Sequence, residues 1–193
     1  FGYHSQDRVE LSDLTSYRYS NNGAAINFSH HFSNALRAQF YLTGMQYSFR
    51  TTDTPDESTA YQHGYTLGDY RFGADLFQIL SSKNTLEYGL GITLYRLNRG
   101  TVEPYGEASL RMPVELGREQ GMESSLYLSD TWDILPWLNI YAGGRLTLFN
   151  PMGPQTVYEY TPGLPKDPRY VTDSLLFNSG QAVKWYLEPD IRL

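Results

Sequence analysis

One hairpin, from Met122 to Asn150, constrains the fold of this chain more than any other feature. Successive side chains of a strand point to opposite faces, so the second half of the hairpin can be sorted into two sets. One set is apolar or small and consists of Leu138, Ile140, Ala142, Gly144, Leu146 and Leu148, and the other consists of Asn139, Tyr141, Gly143, Arg145 and Thr147. The strands meet at a turn at Leu135-Pro136, and each exceeds the usual length of about five or six residues. Long strands with one apolar face are typical of a wall between lipid and water.

The same alternation recurs elsewhere in the chain. It runs through residues 23–32, 36–42, 69–76, 86–94 and 183–193. Seven leucines and isoleucines are therefore predicted to face lipid: Leu90, Ile92, Leu94, Leu138, Ile140, Leu146 and Leu148. The opposite parity holds most of the charges and predicts a polar interior wall: Asp69, Arg71, Asp75, Glu87, Arg145, Lys184, Glu188, Asp190 and Arg192. Asp130 shares the parity of Leu126 and Leu128, and is expected near the periplasmic rim.

Some positions interrupt this regularity. The phase changes above Gly44, where Tyr47 and Phe49 fall on the opposite face, and this predicts a bulge or an exit from the membrane. Residues 8–14 predict only the tail of an earlier strand, and Ser20–Gly23 is a strong loop signal. Pro189 predicts a bulge or a strand end, because proline removes a ladder donor.

The connections between these segments alternate in length. Short turns are predicted near Ser33-Asn34, Ser81–Asn84 and Leu135-Pro136, and long loops at Thr51–Gln62, Arg99–Gly121 and Pro151–Gln181. Outer-membrane β-barrels have short periplasmic turns and long extracellular loops. The sequence therefore predicts an all-β fold: an antiparallel transmembrane β-barrel segment of about seven to eight long strands. A long hairpin in a soluble sandwich is the alternative.

Composition narrows the range of functions. The net charge of −6 and the absence of a basic patch argue against a nucleic-acid partner. Cysteine is absent, which excludes disulfides and thiol catalysis. His30 and His31 are adjacent on a strand and point to opposite faces, so they do not share a metal. The carboxylates of Asp69, Asp75 and Glu87 fit a hydrated wall better than an acid pair. We expect neither an enzyme nor a cofactor.

Four pieces of the chain resemble the TonB-dependent outer-membrane receptors, and most closely the large members that partner a surface lipoprotein. These pieces are Asn27–Ser33, Gly64–Phe72, Ser125–Ile134 with Ala142–Leu146, and Leu187–Leu193. The last piece resembles the Glu-Pro-Arg strand of the family, with Asp190 where arginine is usual. The resemblance covers most of residues 20–193, and it rests on the order and spacing of the pieces together.

The resemblance implies a barrel of about 22 strands that encloses an N-terminal plug. Neither a plug nor a TonB-binding segment is recognisable here, so residues 1–193 are expected to be a partial outer-membrane barrel domain, multi-pass in the cell outer membrane. The implied function is import of a glycan, peptide or metal chelate, with TonB engaged through the missing N-terminal part. Implied partners are lipid, the remaining strands and plug, and a surface lipoprotein or other outer-membrane subunit. The alternatives are a structural or assembly subunit, and an autonomous eight-stranded barrel whose eighth strand comes from residues 1–21.

The segment Pro151–Gln181 is the longest predicted connection. Its five prolines predict an irregular structure. It is nevertheless too apolar for a solvated tail. The residues predicted to make its contacts as an extracellular loop are Tyr158, Tyr160, Leu164, Tyr170 and Phe177. We expect it to pack on a partner protein or ligand outside the cell, or against Arg99–Gly121 of the same chain.

Overall fold

The computed structural model describes the backbone of residues 1–193 and every side chain except that of Ser12. The chain is almost entirely β-structure. Its strands are β1 (Gly2–Ser12), β2 (Thr15–His31), β3 (Leu36–Asp53), β4 (Tyr61–Ser81), β5 (Asn84–Pro104), β6 (Val114–Leu135), β7 (Leu138–Met152), β8 (Gln155–Tyr160), β9 (Val171–Phe177) and β10 (Tyr186–Arg192). One 3-10 turn, Pro168–Tyr170, precedes β9. Among the described residues, no helix has the length and apolarity needed to cross a membrane.

Eight of the strands form one antiparallel sheet in the order β1-β2-β3-β4-β5-β6-β7-β10, and β8 and β9 form a separate two-stranded sheet. The connections at one end of the large sheet, residues 32–35, 82–83 and 136–137, are short, and we call this the short-turn end. At the opposite end lie residues 13–14, 54–60, 105–113 and 153–185, and we call this the long-loop end. The predicted antiparallel all-β fold is thus confirmed.

The register sorts the side chains of the large sheet into two faces. Residues directly opposite each other in an antiparallel pair lie on the same face. One such row contains Phe28, Phe40, Ala74, Leu90, Leu126 and Leu146, and we call its side of the sheet the apolar face. The adjacent row on the other side contains Ser29, Gln39, Asp75, Gly89, Tyr127, Arg145 and Asp190, and defines the polar face. The alternation predicted within single strands therefore continues across the whole sheet.

The apolar face is largely uncovered. Ile26 is 66% exposed and Leu126 is 60% exposed. Among the described residues, the buried hydrophobic side chains are only Ala38, Ala60, Ala74 and Met152. On β5 the apolar stretch runs from Leu86 to Leu94, which at about 3.4 Å per residue is about 27 Å along the strand. We call the rows within this stretch the apolar band. The described residues therefore build almost no core of their own, and the side chains of the apolar band are exposed.

The strands extend further toward the long-loop end than the sequence predicts. Ser20–Gly23, expected to be a loop, lies inside β2, and each of these residues is paired with β1 on one side and β3 on the other. Residues 8–12 of the expected strand tail belong to an 11-residue strand, β1, and residues 13–14 connect it to β2. The prediction of a loop was wrong because the asparagines and glycine contribute backbone groups to two ladders, which outweighs their preference for turns.

Two predicted long loops are also shorter than expected. The loop expected at Thr51–Gln62 spans only residues 54–60, and the one expected at Arg99–Gly121 spans only residues 105–113. The β5–β6 register shifts around Gly100, which has a φ of +72°. A Cβ atom at Gly100 would overlap the carbonyl oxygen of Gly64 on β4. Glycine here permits both a left-handed backbone and a close approach of two strands.

The expected bulge above Gly44 is not present. The pairing of β3 with β2 and β4 is continuous from Leu36 to Asp53. The apolar side chains of Tyr47 and Phe49 therefore lie on the polar face. Pro189 likewise forms no strand end: it is paired with Leu146 inside β10. Proline supplies no ladder donor, yet the pairing of β10 with β7 continues on both sides of Pro189.

The segment Pro151–Gln181 was predicted to be irregular, and this prediction was wrong. It contains β8 and β9, which pair from Gln155–Phe177 to Tyr160–Val171. The prolines at 162, 165 and 168 fall in the connection between the two strands, where no ladder donor is needed, so they do not interrupt the pairing. We call this unit the β8–β9 hairpin.

Both edges of the large sheet are unpaired. Among the described residues, β1 pairs only with β2 and β10 pairs only with β7. The pairing of β1 is confined to residues 15–24 of β2, toward the long-loop end. The pairing of β10 is confined to residues 143–149 of β7, nearer the short-turn end. The eighth strand that an autonomous barrel requires is thus present, but the sheet is open.

We expect residues 1–193, produced alone and refolded into detergent, to form heterogeneous assemblies. Unpaired edge strands template association with other strands, and in lipid their backbone groups lack partners. Size-exclusion chromatography and the electrophoretic shift between heated and unheated samples measure this. A monodisperse, heat-modifiable monomer would contradict the prediction and favour the autonomous eight-stranded barrel.

Candidate functional site

The polar face presents charged and hydrogen-bonding side chains that are linked to one another. On β4 the guanidinium of Arg71 donates to both carboxylate oxygens of Asp69, at 2.8 Å for each bond. On β7 Arg145 donates to the hydroxyl of Ser125 at 3.0 Å. Charged side chains held by hydrogen bonds suit a wall in contact with water.

A second group of contacts joins strands that are not adjacent. The Tyr127 hydroxyl on β6 donates to Asp75 Oδ1 on β4 at 2.8 Å, across the intervening strand β5. The tyrosine reaches that far because Gly89 of β5 lies between the two residues in the same row and has no side chain. The ring of Tyr41 lies in the same way over Gly73. Aromatic rings that cover cross-strand glycines fill the space on the face and restrict sliding of the strands.

The remaining predicted wall residues lie on the polar face, except Lys184, which is outside the ladder. Glu87 is aligned with Ser129 and Gly143, and Glu188 is paired with Thr147. Arg192 Nε lies 3.3 Å from Asp190 Oδ2. Lys184 precedes β10 and is outside the ladder, with its ammonium 4.9 Å from the centre of the Tyr186 ring. That this face lines a barrel interior stays a prediction.

Asp130 lies on the apolar side near the short-turn end, in a row with Leu86 and Ala142. Its Oδ1 accepts a hydrogen bond of 2.7 Å from the side chain of Asn84. The amide partner lowers the cost of placing a carboxylate on this side of the sheet.

Toward the long-loop end the polar face changes character. Here the phase change at Tyr47 brings aliphatic and aromatic side chains together in a cavity of about 660 Å³. Its apolar lining includes Met45, Tyr47, Leu67, Tyr95, Leu97 and Phe149, and its carboxylates are Asp69 and Glu119. Glu119 is paired with Arg99 at 3.4 Å, as Asp69 is with Arg71. The cavity combines an apolar lining with a few polar groups, which is the composition of ordinary small-molecule sites.

Sequence reasoning missed Tyr41, Tyr127 and this cavity. The cavity depends on strands that are continuous through the regions predicted to be loops. The parity of Tyr127, which is that of the polar set, is visible in the sequence. Its position beside Gly89 of the neighbouring strand β5 is visible only once the register is known. The register could not be deduced from single strands.

The β8–β9 hairpin carries the five predicted contact residues. Tyr158 is 52% exposed and Leu164 is 46% exposed, whereas Tyr160, Tyr170 and Phe177 are partly buried. Two more leucines of the hairpin, Leu175 and Leu176, are exposed. Within the described part of the chain, β8 and β9 make extensive contacts only with each other.

The tip of the β8–β9 hairpin is held by local polar contacts. Asp167 caps the 3-10 turn and accepts hydrogen bonds from the backbone and side chain of Arg169. These bonds hold the pKa of the Asp167 carboxyl below its usual range. The connection between the two strands is thus ordered by its own residues.

The described side chains contain no cluster of three histidine or acidic residues able to hold a metal ion. His30 is paired with Ala38 and His31 with Arg37, so the two rings lie on opposite faces, as the alternation predicts. The ring of His30 packs between Phe28 and Phe32.

We expect Gly89→Ala to lower the free energy of unfolding by about 1–3 kcal/mol, the usual cost of overpacking. The new Cβ would lie 2.6 Å from the Ala74 carbonyl oxygen and 2.6 Å from the Tyr127 ring, and backbone cannot yield easily. Denaturant unfolding of the purified protein measures this. The matched control is Gly144→Ala, whose nearest neighbour would be the Asp190 carbonyl oxygen at 3.9 Å. Equal effects of the two changes would contradict the argument.

Comparison of the chain with protein-family models, with curated proteins and with solved structures finds no match in any of the three. The function is therefore argued from the two faces of the sheet, its open edges, and the motifs of the sequence.

Proposed function

We propose that this chain is part of the β-barrel of a TonB-dependent outer-membrane receptor that imports a nutrient. The observation that carries the proposal is the division of one long-stranded sheet into an exposed apolar face and a charged, hydrogen-bonded polar face. A soluble protein rarely exposes a contiguous apolar surface of this extent. The closest fit for such a sheet is a wall with lipid on one side and water on the other.

The dimensions and the ends of the sheet support a membrane location. A stretch of about 27 Å along strands tilted by about 40° spans about 21 Å of the membrane normal, close to the height of the lipid-facing band of outer-membrane barrels, about 25 Å. Short turns gather at one end and longer connections at the other, which is the arrangement of periplasmic turns and extracellular loops. In this proposal the long-loop end faces the cell exterior.

The two unpaired edges support membership of a larger barrel. In hydrocarbon each edge group without a partner is costly, so β10, and the part of β2 beyond Ala24 that β1 does not pair with, require neighbouring strands. Further strands from the same polypeptide would supply them. The polar face would then face the barrel interior and contact a plug, and the exposed residues of the β8–β9 hairpin would contact a surface lipoprotein or another outer-membrane subunit.

The deciding experiment is to identify the native polypeptide that contains this chain. Antibodies against the β8–β9 hairpin would be used on fractionated membranes, and the captured protein measured by intact mass. A much heavier chain in the outer membrane, with a plug and a TonB-binding segment, supports the receptor. A heavy barrel without these segments favours a structural or assembly subunit, and a soluble protein overturns the membrane proposal.

We expect Leu146→Arg to destabilise the lipid-embedded protein by about 2–4 kcal/mol, the usual cost of arginine near the bilayer midplane. Leu146 belongs to the central row of the apolar band. The matched control is Gln46→Arg, on the same face but one row beyond Leu94, where the cost falls to about 0–1 kcal/mol. Denaturant titration in lipid measures both, and no difference between them would contradict lipid contact at Leu146.

We expect deletion of residues 163–170 to leave barrel assembly unchanged but to reduce co-purification of a surface partner. The deleted residues form the connection of the β8–β9 hairpin and make their described polar contacts within it. Co-purification from detergent-solubilised membranes measures the partner, and heat modifiability measures assembly. Undiminished partner recovery would contradict a role of the hairpin connection in binding.

A further inference from the structure

Three arginines form a row across the first three strands of the sheet. Arg8 on β1 is directly opposite Arg18 on β2, which is directly opposite Arg50 on β3. The pairing from these residues down to the row of Ala24 and Gly44 is unbroken, so all three lie on the apolar face. We call them the arginine row.

The position of the arginine row relative to the apolar band is fixed by the register. Gly44 shares a row with Leu94, the last leucine of the band, and Arg50 is six residues further along β3. Six residues are about 20 Å along a strand, and a tilt of about 40° reduces this to about 15 Å along the membrane normal. The phospholipid headgroup layer is only about 5–8 Å thick on each side of a bilayer. The arginine row therefore lies beyond the headgroups of simple phospholipids.

The charges of the arginine row are only partly neutralised within the chain. Like charges directly opposite on neighbouring strands destabilise a sheet. Arg8 is paired with Glu10 at 2.6 Å. Among the described side chains, no carboxylate lies within ion-pair distance of Arg18 or Arg50, and both side chains are exposed. An external anion would remove this repulsion, in a chain whose net charge is −6.

A depression of about 490 Å³ adjoins these two arginines. Besides Arg18 and Arg50, its lining on the apolar face contains further hydrogen-bond donors. They are the hydroxyls of Ser20, Ser48 and Thr66 and the amides of Gln6 and Gln62. Gly64 continues the arginine row on β4 and has no side chain, so room is left beside Arg50. Glu103, at the margin, accepts a hydrogen bond of 3.1 Å from Gln62. Guanidinium groups with several hydroxyl donors match the acceptor oxygens of a phosphate.

We propose that the arginine row binds phosphate groups on the sugar headgroup of an outer-leaflet glycolipid, which lies on the barrel wall with its acyl chains on the apolar band. The inference rests on the membrane location proposed above. The apolar band and the arginine row are continuous on one face, so a single amphiphile can contact both. A sugar headgroup gives the phosphate the reach of about 15 Å that the row requires, which a simple phospholipid lacks.

The test uses the full-length protein purified in mild detergent and intact lipopolysaccharide as the probe. Binding is measured by native mass spectrometry and by titration, for the unaltered protein and for Arg18→Gln/Arg50→Gln. We expect the double variant to bind at least about tenfold more weakly, because charge-assisted hydrogen bonds are lost. The matched control, Lys83→Gln/Lys166→Gln, removes two charges elsewhere and should bind as the unaltered protein does. Enzymatically dephosphorylated lipopolysaccharide should bind as weakly to the unaltered protein as the intact form binds to the Arg18/Arg50 variant.

Three results would overturn the inference. The first is that the Arg18/Arg50 variant binds lipopolysaccharide as tightly as the unaltered protein does. The second is that the unaltered protein binds the dephosphorylated probe as tightly as the intact one. The third is that the lysine control loses as much affinity as the Arg18/Arg50 variant. Phosphatidylglycerol vesicles and inorganic phosphate are the remaining probes. The inference requires a phosphate carried on a sugar headgroup. It is therefore also overturned if either probe binds as tightly as intact lipopolysaccharide or more tightly. The proposed membrane function is judged separately, by fractionation and heat modifiability of the same preparation. If the protein is heat-modifiable and located in the outer membrane but shows no phosphate-dependent binding, only the proposed role of the arginine row is refuted.

Discussion

The unbroken backbone ladder between long antiparallel strands is the constraint on which the other features of this structure depend. Between β2 and β3 the pairing runs from Thr15–Asp53 to His31–Arg37 without a shift. A slip of one residue would move every side chain of a strand to the opposite face. The ladder therefore decides at once where the apolar band, the charged face, the cavity and the arginine row lie.

The ladder also explains how a chain with almost no buried core can be ordered. Its backbone groups are satisfied by neighbouring strands, whereas its apolar side chains on one face are left exposed. In water such a sheet has little hydrophobic burial to offset its conformational entropy. In a bilayer the same side chains are already in an apolar medium, and an unpaired backbone group becomes the larger cost. This is why the open edges at β2, beyond its pairing with β1, and at β10 carry as much functional meaning as the apolar band.

Alternation within single strands was enough to predict the sheet, its two faces and the order of its connections. Leu90 and Leu146 were assigned to one face and Asp75 and Arg145 to the other before any register was known. The strand ends were not predictable in this way. Near Ser20–Gly23 both faces are polar, so alternation disappears even though both ladders continue. The tyrosine contacts across glycines escaped prediction for a related reason, because they join β6 to β4 and depend on the register of two strand pairs.

The loss of alternation toward the long-loop end is itself informative. In the proposed membrane location, the two faces of the sheet within the apolar band contact different media, so the sequence must alternate. Beyond the band both faces are free to be polar, and the sequence can place function on either. On the polar face it places Tyr47, Leu67 and Leu97 around a cavity, and on the other face it places Arg18 and Arg50 beside a polar depression. In that location, the region that a period-two pattern fails to describe is the region where side chains do not contact lipid, and the arginine row and most of the cavity lining lie within it.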